Sequence, residues 1–149
     1  MKISLYADGS IFHKQKVGGW AFAFEHEGER VSLCGAEHGV TGNAMELLAV
    51  VKGLRYVMKR TTVRSVTVIS DSQYVIYGAS RYLPDWRTNK WYNASGRIVS
   101  NKDLWVDLDN IIHQFGQTRW QWVRGHKGVV LNELCDKLAR SAAKELMQA

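Results

Sequence analysis

Four acidic side chains stand where carboxylates can do chemistry. Asp8 and Asp71 each follow a short apolar run: Ile3, Leu5 and Ala7 alternate before the first, and residues 66–70 precede the second. Read as strands, both runs deliver an aspartate at a carboxyl end. Parallel neighbours in an α/β sheet line those ends along one edge, where ligands bind. Glu46 falls in the first turn of a helical stretch. Asp136 falls in the first turns of another, beside an apolar stripe of Leu131, Leu134, Cys135, Leu138 and Ala142. A lone Asp-Gly or Asp-Ser pair is ordinary turn and cap chemistry. Two aspartates at adjacent strand ends together with two helical acids read as a site. Carboxylates brought together repel and resist ionisation unless a divalent cation neutralises them. Hard oxygen donors favour Mg²⁺, with Mn²⁺ as a substitute, over Zn²⁺. Two such ions about 3.5–4 Å apart form a clamp for phosphoryl transfer.

A second group of residues reads as a hold on a polyanion. Residues 81–102 carry Arg81, Arg87, Lys90, Arg97 and Lys102 against a single acid, Asp85, interleaved with Trp86, Trp91 and Tyr92. Exposed tryptophan beside lysine and arginine lies against sugar and phosphate at once. Trp105, Trp120 and Trp122 fall on a helix and a strand and are expected in the core.

The elements that must position these groups follow from periodicity. Residues 2–7 form a strand that Asp8-Gly9-Ser10 is expected to end. Residues 20–26 and 30–35 are two more strands joined by a turn at Glu27-Gly28-Glu29, so the chain opens with an antiparallel meander. From residue 43 to 59, Leu47, Leu48, Val51, Leu54 and Met58 recur at helical spacing, with Asn43 as N-cap. Residues 66–70 make a buried, parallel-type strand. A helix starts near Ser72 and is expected to stop before Leu83-Pro84. Residues 104–115 are helical, 119–123 a last strand, and 132–147 a final amphipathic helix. The order is that of an α/β domain with a mixed sheet covered by helices.

Composition agrees. The 149 residues carry 20 Lys+Arg against 14 Asp+Glu, a net charge of +6, with 46% hydrophobic residues. One domain spanning residues 1–149 is expected at this length, and disorder is excluded. Two cysteines, Cys34 and Cys135, are too few for a disulfide scaffold. No apolar run approaches the ~20 residues of a membrane span, and the N-terminus lacks a signal-peptide core. A soluble, cytoplasmic protein is expected.

Five segments in this order carry a resemblance: Tyr6-Ala7-Asp8-Gly9-Ser10, Asn43-Ala44-Met45-Glu46-Leu47, Ser70-Asp71-Ser72-Gln73-Tyr74-Val75, Trp122-Val123-Arg124-Gly125-His126, and Asn132-Glu133-Leu134-Cys135-Asp136. Over nearly its whole length the chain resembles type 1 ribonuclease H. The resemblance implies a ribonuclease H-like fold with a five-stranded mixed sheet flanked by helices. It also implies hydrolysis of the RNA strand of an RNA–DNA hybrid by two Mg²⁺ ions, leaving 5′-phosphate and 3′-hydroxyl ends. The family's metal-binding tetrad carries over to Asp8, Glu46, Asp71 and Asp136, and its mobile histidine, which serves proton transfer or product release, to His126. An imidazole of pKa ~6.5 suits either role near neutrality. Substrate contacts implied are Gly9, Ser10, Asn43 and Gln73 on the RNA side, and Trp86, Lys90 and Trp91 in a DNA channel. Thr41 and Asn101 are implied at a phosphate pocket. A monomer is the family expectation.

Two departures stand out. After Ser10 the chain reads Ile11-Phe12-His13-Lys14-Gln15-Lys16-Val17 in place of a Gly/Pro/Asn-rich turn, which puts Lys14 where an asparagine contacts RNA. Gly42 and Ala44 stand where Asn and Arg are common. Neither touches the tetrad, so redistributed substrate contacts are expected rather than lost chemistry. No separate hybrid-binding domain is expected before the first strand. Integrases and resolvases share the fold, but tend to lack the Ser-Gln after the second aspartate and the Trp-rich basic segment. A non-catalytic nucleic-acid-binding module would have lost a tetrad acid.

Overall fold

A computed structural model describes residues 1–125 and 129–149; His126, Lys127 and Gly128 lie outside the described residues. Five strands, β1 (Ile3–Phe12), β2 (Val17–His26), β3 (Glu29–His38), β4 (Ser65–Ser70) and β5 (Gln117–Trp122), form one sheet in the order β3-β2-β1-β4-β5. β1, β2 and β3 pair antiparallel, whereas β4 pairs parallel with both β1 and β5. The mixed five-stranded sheet expected from the periodicity is therefore present. Helix α1 (Gly42–Arg60) follows the meander. Then come α2 (Gln73–Tyr77), a π-helical turn (Gly78–Tyr82), α3 (Leu83–Thr88), α4 (Lys102–Ile112) and α5 (Val130–Gln148). Among the described residues no helix is long and apolar enough to cross a membrane.

The first strand does not end before Asp8. Its parallel pairing with β4 stops at Tyr6 opposite Ile69, but its antiparallel pairing with β2 continues from Asp8 opposite Ala21 to Phe12 opposite Val17. The ladder to β2, which starts at Val17 rather than residue 20, overrides the turn tendency of Asp-Gly-Ser. Asp8 thus sits where β1 leaves β4, not where β1 ends. The next hairpin is a two-residue turn at Glu27 and Gly28, both with positive φ, closed by the pair His26 and Glu29.

Two helix boundaries also differ from expectation. The N-cap of α1 is Thr41, not Asn43: Thr41 has extended backbone, and its Oγ1 accepts the Ala44 N–H at 3.2 Å. The helical run that starts after Ser72 does not stop before Leu83-Pro84. It passes through the π-helical turn into α3, where Pro84 lies in the first turn and its missing N–H costs nothing.

The core has two parts. On one sheet face α1, α2 and α4 bury Leu5, Phe22, Phe24, Leu47, Leu54, Val68, Val75 and Trp105, each fully shielded. Burial of such side chains stabilises by about 1.5–3 kcal/mol apiece. Trp105 is core as expected, and Trp120 is half-buried against the same cluster. On the other face α5 packs Leu131, Cys135 and Ala139 against Ala21 and Ala23, with Leu134 and Leu138 at the margin. Its buried residues are Leu131, Asn132, Cys135, Ala139 and Ala143, so Ala142 lies outside that set and Asp136 beside it.

Candidate active site

The acids converge through close backbone packing. Asp8 is buried in β1, and the next residue is a glycine because α1 presses on the strand there: a Cβ on Gly9 would lie 2.5 Å from the Glu46 nitrogen. The Gly9 N–H donates to Asp8 Oδ1 at 2.9 Å and to Glu46 Oε1 at 2.5 Å, tying strand acid and helix acid to one donor. Gly18 opens space in the same way for Met45, the neighbour of Glu46. Asp71 follows β4 directly. Ser70 Oγ accepts the Ser72 N–H at 3.0 Å, and Ser72 Oγ caps α2 by accepting the Val75 N–H at 3.2 Å. The Asp71 carbonyl accepts the Trp122 indole N–H from β5 at 3.0 Å.

Carboxylate oxygens of Asp8, Glu46 and Asp71 lie within 4.8 Å of one another. Burial pushes the Glu46 carboxyl up to about 10; the Asp8 charge and its hydrogen bond add to this, the Asp71 charge adds less, and the Gly9 N–H opposes it. Near neutral pH Glu46 therefore keeps a proton, which a bound divalent cation would replace. Three oxygen donors that resist sharing negative charge are a fit for a hard dication.

Asp136 is not one of these three. It lies on α5, 23% exposed, with Oδ2 2.7 Å from Arg140 one turn on. The helix is seated beside the cluster because β2 carries Gly19, where a Cβ would run into the Ala139 carbonyl. Cys135, the residue before Asp136, turns inward and donates its thiol to the Tyr6 carbonyl at 3.5 Å. Burial, and next the charge of Asp8, push that thiol up to about 12. His126 falls outside the described residues. On either side of it, the Val123 N–H donates to Ser70 O at 3.0 Å and Asn132 Nδ2 to Gly125 O at 3.2 Å.

The residues read as substrate contacts divide into two sets. Ser10 is half-buried, paired with Gly19, and Lys14 is exposed in the β1–β2 turn. Thr41 spends its hydroxyl on the α1 cap, whereas Asn43 and Gln73 are exposed in the first turns of α1 and α2. Gln73, two residues past Asp71, lines an apolar groove of about 300 Å³ with Tyr74, Tyr77, Gly78, Tyr82 and Trp86. Trp86 stacks on Tyr82 at 5.9 Å and meets Trp105 edge-on at 5.1 Å. Lys90 is exposed and Trp91 half-buried, both with positive φ. Asn101, also at positive φ, donates Nδ2 to the Tyr74 hydroxyl at 3.0 Å.

The RNase H family model matches residues 1–144, nearly the whole described fold. The chain belongs to the RNase H family. Ribonuclease H of Treponema denticola is 35% identical over 161 aligned positions, which span 99% of this chain and 100% of that one. Ribonuclease H of Legionella pneumophila strain Corby is 37% identical over 148 positions, 98% of this chain and 99% of that one. Among solved structures, LC9-RNase H1, a type 1 RNase H with the type 2 active-site motif, superposes with a TM-score of 0.83. It is 29% identical over 97% of this chain and 72% of that one.

For this RNase H-family member, reading along the sequence missed several residues that build the site. Trp122 reaches Asp71 across 51 positions, and nothing local marks it as more than a strand tryptophan. Arg140 was legible in principle, since its i+4 spacing from Asp136 is a standard helical ion pair. Tyr74 gathers three hydrogen bonds on its hydroxyl, accepting from Asn101 and from Trp105 Nε1 and donating to the Ser100 carbonyl. Tyr82 supplies half of an aromatic pair whose other half, Trp86, stood out by type.

Proposed function

We propose that the chain hydrolyses the RNA strand of RNA–DNA hybrids, leaving 5′-phosphate and 3′-hydroxyl ends. The observation that carries this reading is the convergence of Asp8, Glu46 and Asp71 oxygens within 4.8 Å at the point where β1 parts from β4, in a chain of the RNase H family. Asp8, Glu46 and Asp71, joined by Asp136 from α5, hold two divalent cations. Mg²⁺ suits the all-oxygen donor set. When bound, the ions supply activation of water and stabilisation of the leaving oxygen.

The protein's own groups do the rest. The Gly9 N–H fixes the relative setting of Asp8 and Glu46. Trp122 donates to the Asp71 carbonyl, and the Ser70 hydroxyl accepts the N–H of Ser72, the residue after Asp71. His126 moves a proton or aids product release. Gly9, Ser10, Asn43 and Gln73 read 2′-hydroxyls in the minor groove, the feature by which a protein tells RNA from DNA. Lys14 adds a contact from the β1–β2 turn. Trp86, in the aromatic groove that Gln73 also lines, acts with Lys90 and Trp91 along the DNA strand, with Thr41 and Asn101 at a phosphate. The enzyme acts as a cytoplasmic monomer.

The test incubates labelled hybrid, duplex DNA and duplex RNA with the protein in Mg²⁺ or EDTA. Only the hybrid is cleaved, only on its RNA strand, and only with the metal. Cleavage of duplex DNA, or of hybrid in EDTA, overturns the reading.

A further inference from the structure

The segment carrying Lys90 and Trp91 has a backbone that its own residue types do not favour. Lys90 and Trp91 adopt φ of 56° and 70° in succession, and Asn101 at its far end 58°. Side-chain-bearing residues persist in the left-handed region only where their surroundings over-determine them. Part of that constraint is internal. The Trp91 N–H donates to Trp86 O at 2.7 Å, the Val99 N–H to Trp91 O at 2.9 Å, and Asn93 Oδ1 accepts from Ser95 and Arg97 backbone N–H groups. These bonds tie the segment to itself and to α3. They do not tie α3 to the body of the protein.

That attachment runs through Leu83, buried in the core at the start of α3, and through α4. Trp86 abuts Trp105, and beside it the Arg87 guanidinium straddles the Asp109 carboxylate. Nε lies 3.1 and 3.0 Å from Oδ1 and Oδ2, and Nη2 lies 2.7 Å from Oδ1. The Asp109 side chain is only 10% exposed, while that of Arg87 is 43% exposed. His113, one turn on, brings Nδ1 to 3.5 Å from the same Asp109 Oδ1. A two-pronged guanidinium–carboxylate pair fixes direction as well as distance, which a lysine ammonium cannot do. By charge count Arg87 belongs with the basic residues that face a phosphate backbone. By geometry its fork is taken by Asp109, 22 positions away.

We propose that Arg87 is a positioning residue and not a phosphate contact: with Asp109 it clamps α3 to α4 and so holds Lys90 and Trp91 where the hybrid meets them. The proposal rests on the hybrid-cleavage reading for its substrate. It adds that one of the cations in the basic segment acts by aiming another.

The test compares wild type with Arg87→Ala, Arg87→Lys and Asp109→Asn in three measurements: steady-state cleavage, salt dependence of hybrid binding, and amide hydrogen exchange over residues 86–101. In all three variants KM rises about tenfold, the effect of misplacing one or two charge-assisted contacts, with kcat within about twofold. In the double variant Arg87→Ala/Lys90→Ala the slope of log affinity against log salt equals that of Lys90→Ala alone, because Arg87 itself contacts no phosphate. Exchange at the Trp91 and Val99 amides accelerates in the variants while β1 and β4 stay protected. A slope smaller by about one in that double variant than in Lys90→Ala overturns the clamp, because that is the loss of a further phosphate ligand. Tighter binding in Asp109→Asn overturns it too, since a released Arg87 would then be reaching the substrate. Wild type that neither binds nor cleaves hybrid sinks the functional reading instead. The exchange data still decide the clamp in that case: faster exchange supports it, and unchanged exchange overturns it.

Discussion

The Gly9 N–H donates to the Glu46 carboxylate across the β1–α1 contact, and only a glycine leaves room for that approach. The bond explains how a helix acid reaches a strand acid without a loop between them. Gly9 removes the side chain that would separate the two backbones, and its N–H then bridges Asp8 and Glu46.

Gly9→Ala is therefore expected to damage both stability and cleavage. The added methyl would lie 2.5 Å from the Glu46 nitrogen and 2.6 Å from the Met45 carbonyl carbon, neither of which is a flexible side-chain end. Overpacking of this kind costs about 1–3 kcal/mol, equivalent to roughly 2–12 °C in Tm for a chain of this size. Cleavage falls about 100-fold, because a site displaced by an ångström loses that much. Thermal melts and single-turnover cleavage check both effects. Wild-type values in both would show that α1 has slack at this contact.

The raised Glu46 carboxyl makes a pH prediction with a definite sign. Its folded value, about 10, lies above the ordinary 4.5. The folded protein thus binds this proton more tightly than the unfolded chain, and the associated stability is fully present below pH ~4.5 and lost as pH rises toward 10. In EDTA, wild-type Tm is expected to fall relative to Glu46→Gln between pH 5 and 9, since glutamine stays neutral throughout. Added Mg²⁺ takes the proton's place, so its stabilising effect grows with pH. Melts of both proteins at several pH values, with and without Mg²⁺, test this. A Tm difference that does not vary with pH in EDTA would mean that Glu46 is ionised without a cation.

Trp122 holds Asp71 by its main chain, not by its carboxylate. Trp122→Phe keeps a ring of similar packing and removes the donor. The expected result is a kcat about tenfold lower, from a lost hydrogen bond of ~1 kcal/mol and a looser Asp71. Hybrid affinity measured in EDTA should not change. Weakened binding with normal kcat would place Trp122 with the substrate contacts.

How far the sequence carried depends on how local the cause is. Asp71 at the end of a β-branched run and Glu46 in a periodic helix are both marked by their neighbours. Asp71 lies where expected, and Glu46 lies on the expected helix but past its first turn, because α1 starts at Gly42. The continuation of β1 past Asp8 is not marked, because a distant partner strand outweighs the turn tendency of three residues. Thr41 and Asn43 are both good caps two residues apart, and only the backbone angles choose between them. Pro84 is a helix breaker by type, yet the π-helical turn before it sets it in a first turn, where it is tolerated. Charge runs hide pairing most of all. Nothing near Arg87 tells that its partner is Asp109 rather than a phosphate.

Lys90 provides the contrast to Arg87. It is exposed, and among the described residues no ion pair engages it, so its charge is available to a phosphate. Lys90→Ala should weaken hybrid binding and reduce the salt slope by about one, the signature of a single lost phosphate contact. The substitution also replaces one left-handed side-chain residue with another, so the backbone cost is unchanged in kind. Lys90→Gly separates the two effects: it relieves the strain at φ 56° and still removes the charge. If both variants lose the same slope, the charge is the cause. If Lys90→Ala alone weakens binding, with the slope intact, the segment's shape is what the hybrid requires.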